Sequence, residues 1–188
     1  MAAFGVVLRH VTVAKTGKIF LTDNSIASIR GPGVCCAMVG DWISSCRKLK
    51  RALKTAGEMA GSTTHIVAQS SGEMAKTDQN IMKSYNLKPP AATALDEPVN
   101  FATLATLLST QAGYCWIQIF GATGGHSLGA SVRDGVFEYF DPNDGLYRFD
   151  DVAHFTTHVE TDLNARYGAA TNTDFTGSGN LYVFGALY

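Results

Sequence analysis

Between residues 114 and 149 the chain sets four short apolar runs between turn signals, and this pattern leaves little choice but an antiparallel sheet. Tyr114–Phe120 (YCWIQIF), His126–Val132 (HSLGASV), Val136–Phe140 (VFEYF) and Leu146–Phe149 (LYRF) supply the β-branched and aromatic residues of strands. The breaks are Gly121–Gly125, the tight Arg133-Asp134-Gly135 turn, and the dense turn Asp141-Pro142-Asn143-Asp144-Gly145. None is long enough for the crossover that parallel pairing needs. Each strand must therefore double back on the one before it.

The flanking sequence is of another kind. Residues 4–13 (FGVVLRHVTV) and Ile19–Thr22 read as strands, divided by a turn at Lys15–Gly17. After a loop closed by Gly31-Pro32-Gly33, the spacing predicts a helix from Val34 to about Glu58. Cys35, Met38, Val39, Trp42, Cys46, Leu49 and Leu53 fall on one face of it, at about 100° per residue. Asp41, Arg47, Lys48, Lys50, Arg51 and Lys54 fall opposite, and the Arg47–Lys54 cluster reads as a solvated face. A weaker helical stretch spans His65–Tyr85, and Pro89-Pro90 punctuates the chain. Asn100 is placed to cap a helix reaching Gln111. Asp150 or Asp151 is placed to cap another reaching Arg166, and Leu181–Tyr188 reads as a last strand. Helices followed by an antiparallel sheet give an α+β fold class, and 188 residues fit one domain, 1–188.

Composition narrows the function classes. Fifteen basic and 16 acidic residues leave a net charge of −1. That argues against nucleic acid or an anionic lipid surface as partner. No apolar run reaches about 18 residues, so no transmembrane segment is expected. The leading MAAFGVVLRHVTVAK has no charged lead, clean apolar stretch or small-residue cleavage site, so no Sec signal is expected. The cysteines, at 35, 36, 46 and 115, form neither a disulfide framework nor C-x-x-C pairs, which favours a reducing environment.

Three short pieces carry chemistry: Gly33-Val34-Cys35 opening a helix, Gly124-Gly125-His126 opening a strand, and Phe140-Asp141-Pro142-Asn143 ending the neighbouring strand. A cysteine in the first turn of a helix feels the positive end of the dipole, which favours thiolate over thiol. A histidine can serve as base and as the imidazolium partner of that thiolate. An acceptor on the far side of the ring fixes its tautomer.

These residues resemble a known family. The run GVCCAMVGDWI (33–43), followed by GGHSLGASVRDGVFEYFDPNDGLYRF (124–149), is similar to the YopT-type (AvrPphB-like) papain-like cysteine protease effectors. Gly33, Cys35, Trp42, His126, Asp141, Pro142, Asn143, Gly145 and Phe149 match its pattern. The resemblance implies a papain-like fold with a nucleophile helix packed on a mostly antiparallel sheet. It implies Cys35 as nucleophile, His126 as general base and Asp141 as orienter. It further implies a cysteine endopeptidase that needs no metal or organic cofactor and cuts a host protein after specialised bacterial secretion into the host cytosol. The sequence departs from the papain-like pattern at the amide side chain that helps hold the oxyanion. Ser28, Ile29 and Arg30 occupy the expected interval, and Asn24, the nearest amide, needs a bulged loop to reach.

Simpler roles compete for several residues. Cys46, Cys115, Trp42 and Trp116 read as core, and Cys36 points about 100° away from Cys35, nearer Ile43. His10, His65, His154 and His158 read as structural or surface residues, and the His154/His158 pair lacks a third metal ligand. Three rival functions stay open. A glutamine deamidase or transglutaminase forms the same thioester from a side-chain amide. A cell-wall amidase of the NlpC type also uses Cys and His. An inactive binding module would use the groove only to hold a partner.

Overall fold

The computed structural model describes residues 17–24, 33–75 and 78–185; the expected strand over 4–13, His10 and the loop over 25–32 lie outside them. Among the described residues, twelve α-helices and β-strands follow in chain order. They are β1 (Gly17–Leu21), α1 (Cys35–Leu49), α2 (Ser62–Ala75), α3 (Asp78–Ser84), β2 (Ala92–Ala94) and α4 (Phe101–Thr110). Then come β3 (Gly113–Gly121), β4 (Gly124–Arg133), β5 (Val136–Asp141), β6 (Gly145–Phe149), α5 (Val152–Tyr167) and β7 (Ser178–Phe184). The strands join in one seven-stranded antiparallel sheet of order β1-β6-β5-β4-β3-β7-β2.

The period-2 alternation of β3 divides the core in two. Tyr114 and Trp116 face α1, α2 and α3, together with Phe140 and Leu146. Cys115, Ile117 and Ile119 face α4 and α5, together with Leu128, Ala130 and Tyr139. The sheet is therefore a middle layer between two helical layers. Trp42 of α1 lies flat against the sheet and stacks on Phe140 at 5.6 Å. It can do so because β4 carries a glycine beneath it: a Cβ on Gly129 would meet the indole at 2.6 Å.

Helix α1 stops nine residues short of the expected end. Lys50 adopts a left-handed conformation (φ 53), and its N–H turns back to the Arg47 carbonyl while that of Arg51 reaches Cys46. Leu53 is still fully buried, but from the loop that follows. The stretch expected over His65–Tyr85 is two helices, α2 and α3, and starts earlier, at Ser62. The caps are as expected at Asn100, which accepts from the Thr103 N–H, and fall on Asp151 rather than Asp150 at α5.

Two buried polar clusters brace α1 and the loop after it. Asp41 accepts from His65 of α2 at 2.9 Å, from the Ala60 N–H and from Ser45. Glu138 of β5 accepts from Arg133 at 3.0 Å and from Arg148 at 2.8 Å, and Arg148 also ties down the Leu53 carbonyl. His65 is thus structural, and Trp42, Trp116, Cys46 and Cys115 are core residues, as expected.

Candidate active site

The strand register explains how distant motifs meet. The β3–β4 ladder runs from Gly113–Val132 out to Gly121–Gly124. The β4–β5 ladder stops at Gly129–Phe140. The first half of β4 therefore leaves β5, and Asp141 stands just past the last pair, on the sheet face of Tyr139. Leu128 and His126 share that face by alternation. The fork between the strands brings His126 Nε2 to 2.8 Å from Asp141 Oδ1, with both side chains almost fully buried.

Helix α1 delivers the thiol to this fork. Gly33 has φ +92, a conformation that favours glycine, and its bare Cα lets the Asn24 amide lie against it; a Cβ there would meet Asn24 Nδ2 at 3.0 Å. Cys35 follows as the first residue of α1, with no acidic side chain in the first turn. His126, Cys36 and the Ser127 backbone lie close enough to bear on its ionisation, and it stays partly exposed. His126 Nε2 is engaged by Asp141, which leaves Nδ1 to face the sulfur. The structure thus brings Cys35, His126 and Asp141 together in that order.

The electrostatics follow from these contacts. The hydrogen bond from Cys36 is the largest influence on Cys35; burial opposes it, and the charge and hydrogen bond of His126 reinforce it. The net result holds Cys35 well below the usual thiol range. Burial pulls His126 down, but its bonds to Asp141 and Cys35 outweigh that and push it up to about 10. Burial works against the Asp141 carboxylate, yet His126, the Asn143 N–H and Tyr167 hold it below its ordinary value. Cys46 and Cys115 go the other way, as burial pushes each up to about 12. Cys35 is therefore the thiol whose surroundings favour the charged form, unlike Cys46 and Cys115.

A chain of hydrogen bonds with fixed direction closes around the back of the site. The Val34 N–H donates to Asn24 Oδ1 at 2.5 Å, so the other pole of that amide donates to Asn143 Oδ1 at 3.0 Å. Asn143 Nδ2 donates to the Tyr167 oxygen at 2.9 Å, and Tyr167 O–H donates to Asp141 Oδ2 at 2.9 Å. Tyr167 also stacks on the His126 ring at 4.9 Å, with Phe175 stacked behind it at 5.8 Å. Tyr167 and the side-chain role of Asn143 are not read from the sequence; a tyrosine late in an amphipathic helix looks like core.

One further placement differs from expectation. Cys36 does not turn away toward Ile43 but reaches β4, where its sulfur lies 2.9 Å from Ser127 Oγ. Asn24 does stand at the helix start, with both poles of its amide engaged as described. Among the described residues no three His, Cys, Asp or Glu side chains gather as a metal site, and no helix is long and apolar enough to cross a membrane. His158 sits among Tyr139, Tyr147 and Phe149, and His154 is exposed.

No protein-family model matches the chain, and no curated protein matches it in sequence. Among solved structures, the Pseudomonas avirulence protein AvrPphB is similar, with a TM-score of 0.58 at 14% identity. The match covers 79% of this chain and 89% of that one. An identity this low speaks for fold alone, and the fold is the expected one: α+β and papain-like, with a helix bearing a cysteine packed on an antiparallel sheet.

Proposed function

We propose that this chain is a cysteine peptidase, a single papain-like catalytic domain of an effector that cuts a host protein. The observation that carries the reading is the contact series Cys35–His126–Asp141, with a depressed thiol beside a raised imidazole. The fold shared with AvrPphB supports it.

In this reading the Cys35 thiolate attacks the scissile carbonyl carbon and forms a C–S bond, while the carbonyl electrons move to oxygen. The His126 imidazolium then gives its Nδ1 proton to the departing amine as the C–N bond breaks. A thioester remains. Water, deprotonated by His126, attacks it and releases the acid and the Cys35 sulfur. Asp141 keeps Nε2 protonated and the ring oriented throughout. For the oxyanion, two of the orphan N–H groups at the start of α1 are already engaged, Val34 by Asn24 and Ala37 by Gln69 at 3.1 Å. The Cys35 N–H is the donor we assign. The Asn24 amide joins it only by letting go of Asn143.

The test is incubation of the chain, beside Cys35→Ala, with host-cell protein, reading new N-termini by mass spectrometry. Discrete new termini that vanish in Cys35→Ala are expected. A substrate that gains about 1 Da at glutamine and stays whole would replace proteolysis by deamidation. Identical termini from both chains would overturn the reading.

A further inference from the structure

The thiol stands at the start of α1 and the imidazole and carboxylate on the sheet, and a short strap of chain joins the two. Beyond β1 the backbone lies along the turn over 141–144. The Thr22 N–H donates to the Asp144 carbonyl at 3.3 Å, and the Thr22 hydroxyl donates to the Pro142 carbonyl at 3.0 Å. Gly145 permits this close passage, since a Cβ there would meet the Phe20 carbonyl oxygen at 1.9 Å. Just beyond, Asn24 reaches from the turn to α1, and its partners fix which way its amide points. A backbone N–H only donates, so the pole 2.5 Å from the Val34 N–H is the oxygen. The NH2 group then faces Asn143 Oδ1 at 3.0 Å. The far end agrees: the Asp141 carboxylate only accepts, so Tyr167 donates to it and takes its own bond from Asn143 Nδ2. Exchanging the poles of Asn24 would set donor against donor at Val34 and acceptor against acceptor at Asn143.

We propose that Asn24 is a positioning residue for the nucleophile: held to the 141–144 turn, it clasps the Val34 N–H and so fixes the first turn of α1, with Cys35, relative to His126 and Asp141. Asn143 keeps the oxygen of that amide turned to the helix. The proposal rests on the peptidase reading and adds to it a residue from outside the triad. Val34 is the N-cap of α1, and its apolar side chain can make no capping bond. Asn24 secures that end from outside the helix, one peptide away from the reactive residue. This is a role other than holding the oxyanion. The NH2 group that a carbonyl oxygen would need is engaged by Asn143, and the amide oxygen by Val34. Of the influences that lower the Cys35 thiol, Cys36 comes first and shares its helix, whereas His126 stands on the sheet and acts only if α1 is held to it.

The experiment is alkylation of the full chain by iodoacetamide from about pH 4 to about pH 10, with the rate at Cys35 read from its own peptide by mass spectrometry. Iodide is displaced at a saturated carbon and no oxyanion forms, so loss of a group that served only the oxyanion would leave this rate unmoved. Asn24→Ala and Asn143→Ala are compared with the unaltered chain, and circular dichroism checks that each is folded. A neutral hydrogen bond is worth about 2- to 10-fold in an equilibrium. Asn24→Ala should therefore move the Cys35 midpoint up by about half a unit, roughly a threefold loss of rate below it. Asn143→Ala keeps the Val34 bond possible but frees the amide to turn, and should move the midpoint the same way by about 0.3 unit. It carries the test if Asn24→Ala does not fold. A profile that superimposes on that of the unaltered chain, with or without loss of cleavage, would overturn the proposal while leaving the peptidase reading intact. So would a midpoint that falls, as a freed Val34 N–H beside the sulfur would make it. An unaltered Cys35 that titrates near about 8.5, like a free thiol, would overturn both.

Discussion

Replacing Asp141 by asparagine separates charge from shape at the centre of the site. The amide oxygen of asparagine can still accept from His126 Nε2, which now lies 2.8 Å from a carboxylate oxygen. What goes is the charge. A hydrogen bond to a charged group is worth about 1.5–3 kcal/mol and a neutral one about 0.5–1.5 kcal/mol. The difference, about 1–2 kcal/mol, corresponds to roughly 5- to 30-fold in the population of the thiolate–imidazolium pair. A second effect follows at the other oxygen. The new NH2 group falls where Oδ2 accepts from Tyr167, and the phenol proton loses its acceptor. Burial and the Asp141 charge keep that phenol protonated, so its orphaned hydrogen costs about 1–3 kcal/mol of fold stability. The assay is again alkylation of Cys35 against pH. His126 is raised, to about 10, so its proton is present at low pH and lost as pH climbs through that value. Cys35 is lowered, so its charge is present at high pH and lost as pH falls. Removing the carboxylate should shrink this plateau from both sides, bringing the upper limit down by about one unit and the lower limit up. Peptide turnover should fall further, toward the roughly 10⁴-fold loss known for the same exchange in a serine triad. A reactivity profile that superimposes on that of the unaltered chain would make Asp141 a turn residue and nothing more.

Tyr167→Phe keeps the ring stacked on His126 and deletes the O–H to Oδ2 together with the oxygen that accepts from Asn143 Nδ2. Urea unfolding should show a loss of about 1.5–3 kcal/mol, with Cys35 reactivity reduced less than in Asp141→Asn; equal stability would mean the bond contributes nothing. Gly129→Ala drives a methyl to within 2.6 and 2.7 Å of the Trp42 ring. Overpacking should cost about 1–3 kcal/mol and shift tryptophan fluorescence, and an unchanged unfolding midpoint would contradict the packing described for α1 on β4. Glu138→Ala strips the buried carboxylate from beside Arg133 and Arg148 and should cost about 3–5 kcal/mol by the same measurement. Cys35→Ala should abolish cleavage and leave the unfolding transition cooperative, since the thiol stands at a partly exposed helix start; loss of the fold would assign Cys35 to structure instead.

What could be read from the chain and what could not divides along a physical line. Each chemical motif is local, so Cys35, His126 and Asp141 could be named one by one. The turns between residues 121 and 145 fixed the antiparallel order for the same reason. What makes them a site is the unequal length of two ladders, β3–β4 running on past the point where β4–β5 ends at Gly129–Phe140. No residue type encodes that fork. The end of α1 shows a related failure: Leu53 continues the helical phase and is buried, but Lys50 turns left-handed before it, without a glycine to signal the stop. Strand β2 is three exposed residues, Ala92–Ala94, with no side chain large enough to carry a period. Cys36 exposes the limit of wheel arithmetic. An angle of about 100° separates it from Cys35 only along the helix axis. At the first turn, where α1 overhangs β4, the Cys36 sulfur too meets the strand, at the Ser127 hydroxyl. The side chains that bind the site into one body, Asn24, Asn143, Tyr167 and Ser127, are ordinary polar residues whose roles exist only through partners far along the chain. A site of this kind announces its reactive atoms in sequence and hides what sets their charge.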